Sequence, residues 1–429
     1  MEEKKVEYIE LIYDLIFVYI VGRNNELIHS LKNGFIDPPA FLTYVITTLI
    51  VLQIWYYTML FINRYGKNDK LMHIGIFVNM YLLYFMAKGV RTDWHSYYMI
   101  FNGAWALILI NIAFMYIIQM RRGNDGRVWE NAQIKMTIRI ILIEAAIVLA
   151  SIPVYRFSGL PLAPVGMLFG IFAALTGSRI NRLSPVDFNH LTERVMLYVV
   201  FTFGEMIIGM EGYFNGEISP NTIYFSLCGF LIVVGLFMSY GYLYEHILDR
   251  DMTTNGTAYM MVHVFLILSL NNITAALQFM RDPHMAQLPK NLFLIGSLVL
   301  FFVLMYLVAG FSRTDCRFDR RFSLKLFGSL VIFSALMLFT YQMPSVSIAI
   351  TLLYIVFTYR LVVKHTNQDR AQAIPNGYTA DDIRVEKSIC HGERTIGFYN
   401  SSEKKLYFAE LVHTDQDITA FYEKYGIKR

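Results

Sequence analysis

The sequence predicts an all-α polytopic membrane protein of about twelve transmembrane helices, ending in a small α+β cytoplasmic tail, and three observations predict it. Of 429 residues, 55% are hydrophobic and only 16% charged, where a soluble chain carries about a quarter charged. Apolar runs recur at the length that a hydrocarbon core of about 30 Å demands, about 20 residues in a helix. Lys and Arg alternate in density from one connection to the next, as the excess of positive charge in cytoplasmic loops requires.

The twelve apolar segments fall near 6–22, 40–62, 71–88, 96–120, 136–154, 160–178, 189–210, 221–244, 257–279, 291–312, 323–341 and 344–363. Proline marks several starts: Asp37-Pro38-Pro39 before the second, Pro220 before the eighth and Pro344 before the twelfth, positions where a missing N–H costs a helix nothing. The junction Tyr341-Gln342-Met343-Pro344 makes the last two a hairpin.

Alternate connections test the number twelve. One side holds Lys4, Lys5, Arg64, Lys67, Lys70, Arg121, Arg122, Arg127, Lys135, Arg179, Arg182, Arg250, Arg313, Arg317, Arg320, Arg321, Lys325, Arg360 and Lys364. The other holds only Arg23, Lys32, Lys88, Arg91, Arg156, Arg281 and Lys290. Both termini are therefore expected in the cytoplasm, with the chain in a bacterial plasma membrane. The start, MEEKK, leads into a segment too charged for the apolar core of a signal peptide, so none is expected.

The expected domains are a transmembrane domain, 1–365, and a small cytoplasmic domain, 366–429. Within the first, an offset of 186 residues lays Glu7 on Glu193, Tyr56 on Tyr242, Asn63 on Asp249 and Arg64 on Arg250. That suggests repeats at 1–180 and 187–365, and six spans per unit would give both the same orientation. After Lys364 the chain turns polar. IRVEKSI, TIGFY and KLYFAEL read as extended, Ser401-Ser402-Glu403-Lys404 as a turn, and 414–425 as a helix.

Several functions are excluded by composition or missing motifs. The net charge is +4 and the basic residues sit in short clusters between apolar runs, so nucleic acid is no expected partner. Cys228, Cys316 and Cys390 show no ligand or disulfide spacing. A phosphate-binding glycine loop, HExxH and GxSxG are missing, as is any cytoplasmic domain large enough for a kinase or ATPase. No cofactor or metal is expected. The partners are the bilayer and a small solute, ion or lipid ligand, and a homo-oligomer is compatible with the sequence.

The chemistry is expected on charged residues inside the apolar runs. Glu7, Glu10 and Asp14 fall within about 60° on one face of the first segment. A mid-span acid costs about 2.5 to 3.5 kcal/mol of insertion while each Leu or Ile returns about 0.3 to 0.6, so this helix needs protein partners. Its acids either handle an ion or substrate or are neutralised by arginines as a packing device.

The seventh segment gathers His190, Glu193, Arg194, Gly204, Glu205, Glu211 and Gly212 on one side. Its Glu205 is the strongest single candidate for a functional acid, with Gly204 beside it expected to admit a close neighbouring helix. His190 and Glu193 stand at metal-ligand spacing but need converging ligands from elsewhere; the alternative is interfacial ion pairs for Glu193 and Arg194. Gln53, Tyr56, Tyr57 and Arg64 share a face of the second segment. Arg64 is either a topological anchor or a partner for a first-segment acid. His263 is either a neutral, hydrogen-bonded core histidine or a proton relay. Glu144 in the fifth segment has no local partner, because Arg139 lies about 140° round the helix.

The opening VEYIELIYDLIFVYIV resembles that of the bacterial low temperature requirement A (LtrA) family, through Glu10, Leu11, Asp14, Leu15, Phe17 and Val18. HLTERVMLYVVFTFGEMIIG is similar to the family's His-x-x-Glu-Arg and Gly-Glu pattern, carried by His190, Glu193, Arg194, Gly204 and Glu205. Trp55 through Asn63-Arg64-Tyr65, with Asp69 downstream, also fits, and the resemblance runs from about residue 6 to 365. It implies a multi-span membrane protein linked to growth in the cold, with no substrate, cofactor or reaction attached.

Three functions fit these residues. An ion-coupled or facilitated transporter would use Asp14 and Glu205 to bind or release protons or cations, with Arg194 as counter-charge. An intramembrane enzyme on a lipid or lipid-linked substrate would use Glu205 as general acid or base and Arg194 as phosphate binder. A sensor would report membrane state through its tail.

Overall fold

A computed structural model describes residues 5–89, 94–122, 128–176, 185–214, 218–369, 375, 377–387, 394–425 and 427. Each of the twelve predicted segments holds one helix. In order these are α1 (Tyr8–Asn24), α2 (Pro38–Tyr65), α3 (Lys70–Gly89), α4 (Trp94–Arg121), α5 (Val128–Ser158) and α6 (Ala163–Thr176), followed by α7 (Phe188–Gly209), α8 (Pro220–Tyr242), α9 (Thr257–Phe279), α10 (Gln287–Val308), α11 (Arg320–Phe339) and α12 (Pro344–Asp369). Ten of them are long and apolar enough to cross a membrane; α1 and α6, at 17 and 14 residues, are the shorter two. The chain is thus a multi-span membrane protein whose membrane-crossing segments are all helical. Lys4, Arg91, Arg127, Arg179, Arg182 and Cys390 lie outside the described residues.

Two compact units emerge, one of residues 1–311 with 327–355 and one of 312–326 with 356–429. In the first, α2 and α9 are the most enclosed spans, each with 83% of its most apolar stretch buried. The outward faces of α3, α8 and α11 carry Phe77, Tyr81, Leu227, Phe230, Val331 and Ile332, apolar side chains that suit hydrocarbon. The offset of 186 lays helix on helix, yet the matched pairs differ in burial: α2 at 83% against α8 at 39%.

Sequence reasoning passed over the connection after α1. Asn25–His29 forms a 3-10 turn, and the two-residue strands β1 (Leu31–Lys32) and β2 (Phe35–Ile36) pair antiparallel around Asn33 and Gly34, both at positive φ. A buried polar cluster pins it: Asn24 Nδ2 donates to Thr48 Oγ1 at 3.1 Å, Asn25 Nδ2 to Asn271 Oδ1 at 3.4 Å, and Tyr44 Oη to Asn272 Oδ1 at 2.8 Å. Inside a bilayer such amides need protein partners because no water is at hand.

The second unit carries the tail. Strands β3 (Ile383–Lys387), β4 (Arg394–Asn400) and β5 (Lys405–Val412) form an antiparallel sheet with β4 central, and α13 (Asp415–Lys424) covers one face. Ile383, Ile396, Phe398, Val412, Ile418, Phe421 and Tyr425 make its core. The turn at Ser401–Lys404 is where the sequence placed it, with Asn400 Oδ1 accepting from the Ser402 and Glu403 backbone.

Candidate functional site

Helices α1 and α7 pack against each other in parallel: Glu10 and Asp14 meet the start of α7, and Gly22 meets Glu205 near its end. Five spans lie between the two helices, and an odd number in between gives both the same direction. The contact brings together the two most charged apolar segments of the sequence.

At its centre Arg194 Nε donates to Asp14 Oδ2 at 2.9 Å and Nη2 to Oδ1 at 2.8 Å, a two-pronged pair with neither residue exposed. Planar guanidinium matches planar carboxylate, so the geometry is fixed as well as the charge. Trp55 Nε1 of α2 also donates to Asp14 Oδ1, at 2.9 Å, and its ring packs on Tyr198 with centroids 4.6 Å apart. One turn toward the N-terminus of α1, Glu10 Oε2 lies 3.0 Å from Arg194 Nη1 and 3.4 Å from His190 Nε2. A charge taken out of water holds only where partners replace its hydration, and each of these groups has one.

Asn63 of α2 orients the histidine. Its Oδ1 accepts from the Asp187 backbone N–H at 3.0 Å and its Nδ2 donates to the Asp187 carbonyl at 2.9 Å, which fixes the amide. That Nδ2 then faces His190 Nδ1 at 3.1 Å. A donor so placed calls for an acceptor, so the ring proton belongs on Nε2, toward Glu10. Asp187 meanwhile caps α7, its side chain accepting from His190 N. Val186 N donates to the Thr254 carbonyl and Arg64 Nη2 to the Asn255 carbonyl, so the end of α2 and the starts of α7 and α9 are tied around the cluster.

The structure therefore gathers Glu10, Asp14, His190 and Arg194, and leaves the other candidates apart. Glu205 sits beside Gly22, eleven residues beyond Arg194 on α7, about 16 Å along a helix. The small residue that admits it is Gly22, where a Cβ would come within 2.6 Å of Glu205 Oε1; Gly204 faces open space instead. Glu193 is half-buried on the side of Tyr244, and among the described residues no group of three metal-ligating side chains forms around it or His190. Arg64 reaches the Asn255 carbonyl and not a first-helix acid. His263 is fully buried, with Nδ1 2.8 Å from the Tyr259 carbonyl and Nε2 3.2 Å from Tyr240 Oη. Both ring nitrogens have core partners, as a structural histidine does.

Beyond Glu205, a pocket of about 440 Å³ is lined by His29, Gly212, Tyr213, Gln278, Arg281 and Asp282. Gln278 Nε2 donates to the Gly209 carbonyl at 2.6 Å, and Arg281 Nη1 to the Tyr213 carbonyl at 2.5 Å. Trp55 and Asn63 are site residues that sequence reasoning did not single out for a role. The signals were their polar groups within an apolar run and their place in the stretch that resembles the family.

A model of the family described as bacterial low temperature requirement A protein (LtrA) matches residues 5–363. No curated protein and no solved structure matches the chain. The match takes in every helix that contributes to the cluster, α1, α2 and α7, and stops before the tail. The chain belongs to the bacterial low temperature requirement A (LtrA) family of membrane proteins.

Proposed function

We propose that the chain is a proton-coupled membrane transporter whose coupling site is the α1/α7 cluster. One observation carries the reading: Glu10 Oε2 stands between a fixed cation, Arg194 Nη1 at 3.0 Å, and a titratable group, His190 Nε2 at 3.4 Å. Protonation makes both imidazole nitrogens donors, so the Nδ1 contact with the Asn63 amide at 3.1 Å becomes donor against donor and must break. A proton taken up at His190 therefore draws Glu10 toward the imidazolium, loosens its hold on Arg194, and frees the tie between α2 and the N-terminus of α7. That is a local charge change acting on a helix contact, the usual form of a switch.

Glu205 and the pocket at Tyr213, Gln278 and Arg281 give the solute a path at the other end of the same helices. On this reading both chain termini lie in the cytoplasm and that pocket faces outside, an orientation that the alternation of Lys and Arg between connections supports. The lipid-enzyme reading loses its phosphate binder, because both faces of Arg194 are occupied by Asp14 and Glu10.

The test uses proteoliposomes holding a pH-sensitive dye, challenged with gradients of small cations, anions and zwitterions. A solute gradient should move protons, and His190→Gln or Glu10→Gln should slow that movement at least tenfold while the protein stays folded. If no gradient moves protons, or the variants equal the wild type, the proposal fails.

A further inference from the structure

A third buried carboxylate lies outside the α1/α7 cluster, among α2, α5 and α6. Glu144, near the middle of α5, has no exposed surface. Its Oε2 accepts from Tyr57 Oη at 2.6 Å, and its Oε1 has no hydrogen-bond partner among the described residues. Gln53 Nε2 donates to Tyr57 Oη at 3.2 Å and to the Met167 carbonyl at 3.3 Å, completing the ring of polar groups. Over them sits Gly170 of α6, where a Cβ would collide with Glu144 Oε2, Gln53 Nε2 and Tyr57 Oη together. The glycine is what lets α6 close over the carboxyl.

The charged and titratable groups facing this carboxyl are few. From α2 there are Tyr57, and Arg64 further along; α4 offers Tyr116, and Tyr98, whose hydroxyl lies 3.2 Å from Ser151 Oγ. On α5 itself Arg139 points away, and α6 has no ionisable residue between Ala163 and Thr176. No cation neutralises Glu144 among the described residues, and a buried carboxylate without one is avoided by taking a proton.

An access route adjoins it. A cavity of about 30 Å³ is lined by Tyr56, Tyr57, Arg64, Tyr116, Thr137 and Ala174. Leu60, Met136 and Ile140 close its apolar side, and by the rule of about 10–15 Å³ per water the space has room for about two against the tyrosine, threonine and arginine groups. Tyr57 borders both the cavity and the carboxyl, and Arg64 marks the far end.

We propose that Glu144 is a proton-binding site in its own right, loaded through Tyr57 from water in this cavity. In the loading step, a hydrated proton in the cavity forms a new O–H bond to Tyr57 Oη. The existing Oη–H proton passes to Glu144 Oε2. Tyrosine ends unchanged and the carboxylate ends as a neutral acid, its Oε1 needing no cation. The site stands whether or not the α1/α7 cluster couples transport.

Infrared spectroscopy of the full chain in lipid nanodiscs tests it. A carboxylic-acid C=O band should be present at neutral pH, move on transfer to D2O, and vanish in Glu144→Gln. Tyr57→Phe should shift the band by removing the hydroxyl that accepts from the protonated acid, which keeps the test open if Glu144→Gln fails to fold. Ala174→Leu, which fills the cavity, should slow the D2O-induced shift at least tenfold. A spectrum unchanged by Glu144→Gln, or by Tyr57→Phe, overturns the site; exchange unaffected by Ala174→Leu overturns the route.

Discussion

Arg194 of α7 clasps both oxygens of Asp14 on α1, at 2.9 and 2.8 Å, with neither side chain exposed. The two residues are 180 positions apart, and their pairing fixes both the rotation and the height of one helix against the other. Removing either partner alone strands a buried charge, at a cost of about 3 to 5 kcal/mol. Asp14→Asn and Arg194→Gln should each lower the melting temperature in detergent. The double variant should be less destabilised than the sum of the two, and an additive cycle would show that the pair is not coupled.

Gly22 and Gly204 make opposite predictions although both adjoin Glu205. A methyl at Gly22 meets the Glu205 carboxyl, so Gly22→Ala must push α1 and α7 apart or swing the acid away, costing about 1 to 3 kcal/mol. Gly204 faces open space, and Gly204→Ala should be neutral or stabilise by up to about 1 kcal/mol through helix propensity. Thermal melting of the two variants side by side separates the outcomes.

The tail has a core of its own, and Phe398 lies at its centre with no exposure, against Phe421 and Tyr425. Phe398→Ala should cost about 3 to 5 kcal/mol, more than so small a sheet can spare. Limited proteolysis of the full chain should then release the segment after residue 369 while α1–α12 stay intact.

Acid should loosen the same tail from the N-terminus of α13. Asp417 accepts from the Thr414 and His413 backbone N–H groups at 2.8 and 2.9 Å, and these bonds hold its carboxyl below the usual range. A carboxyl depressed in the folded state contributes above its unfolded value, about 3.9, and that contribution disappears as pH falls through the folded value. Amide exchange at Thr414 should therefore rise below about pH 4, and Asp417→Asn should remove this pH dependence.

The twelve helices were legible in the sequence because their cause is local: a bilayer demands about 20 apolar residues per crossing, and those runs are contiguous. So was the tail, whose strands and helix follow alternation and turn residues. The charged faces of α1 and α7 were legible too, since an acid among Leu, Ile and Phe stands out against its surroundings. Tertiary structure alone decided who meets whom. Nothing in the spacing of Glu10, Asp14, His190 and Arg194 says that they converge while Glu205 stays about 16 Å away, that Arg64 turns to the Asn255 carbonyl, or that Gly170 covers Glu144. Helix periodicity tells which residues share a face; the partner of that face depends on packing between segments 180 and even 246 residues apart, and only the folded chain holds that information.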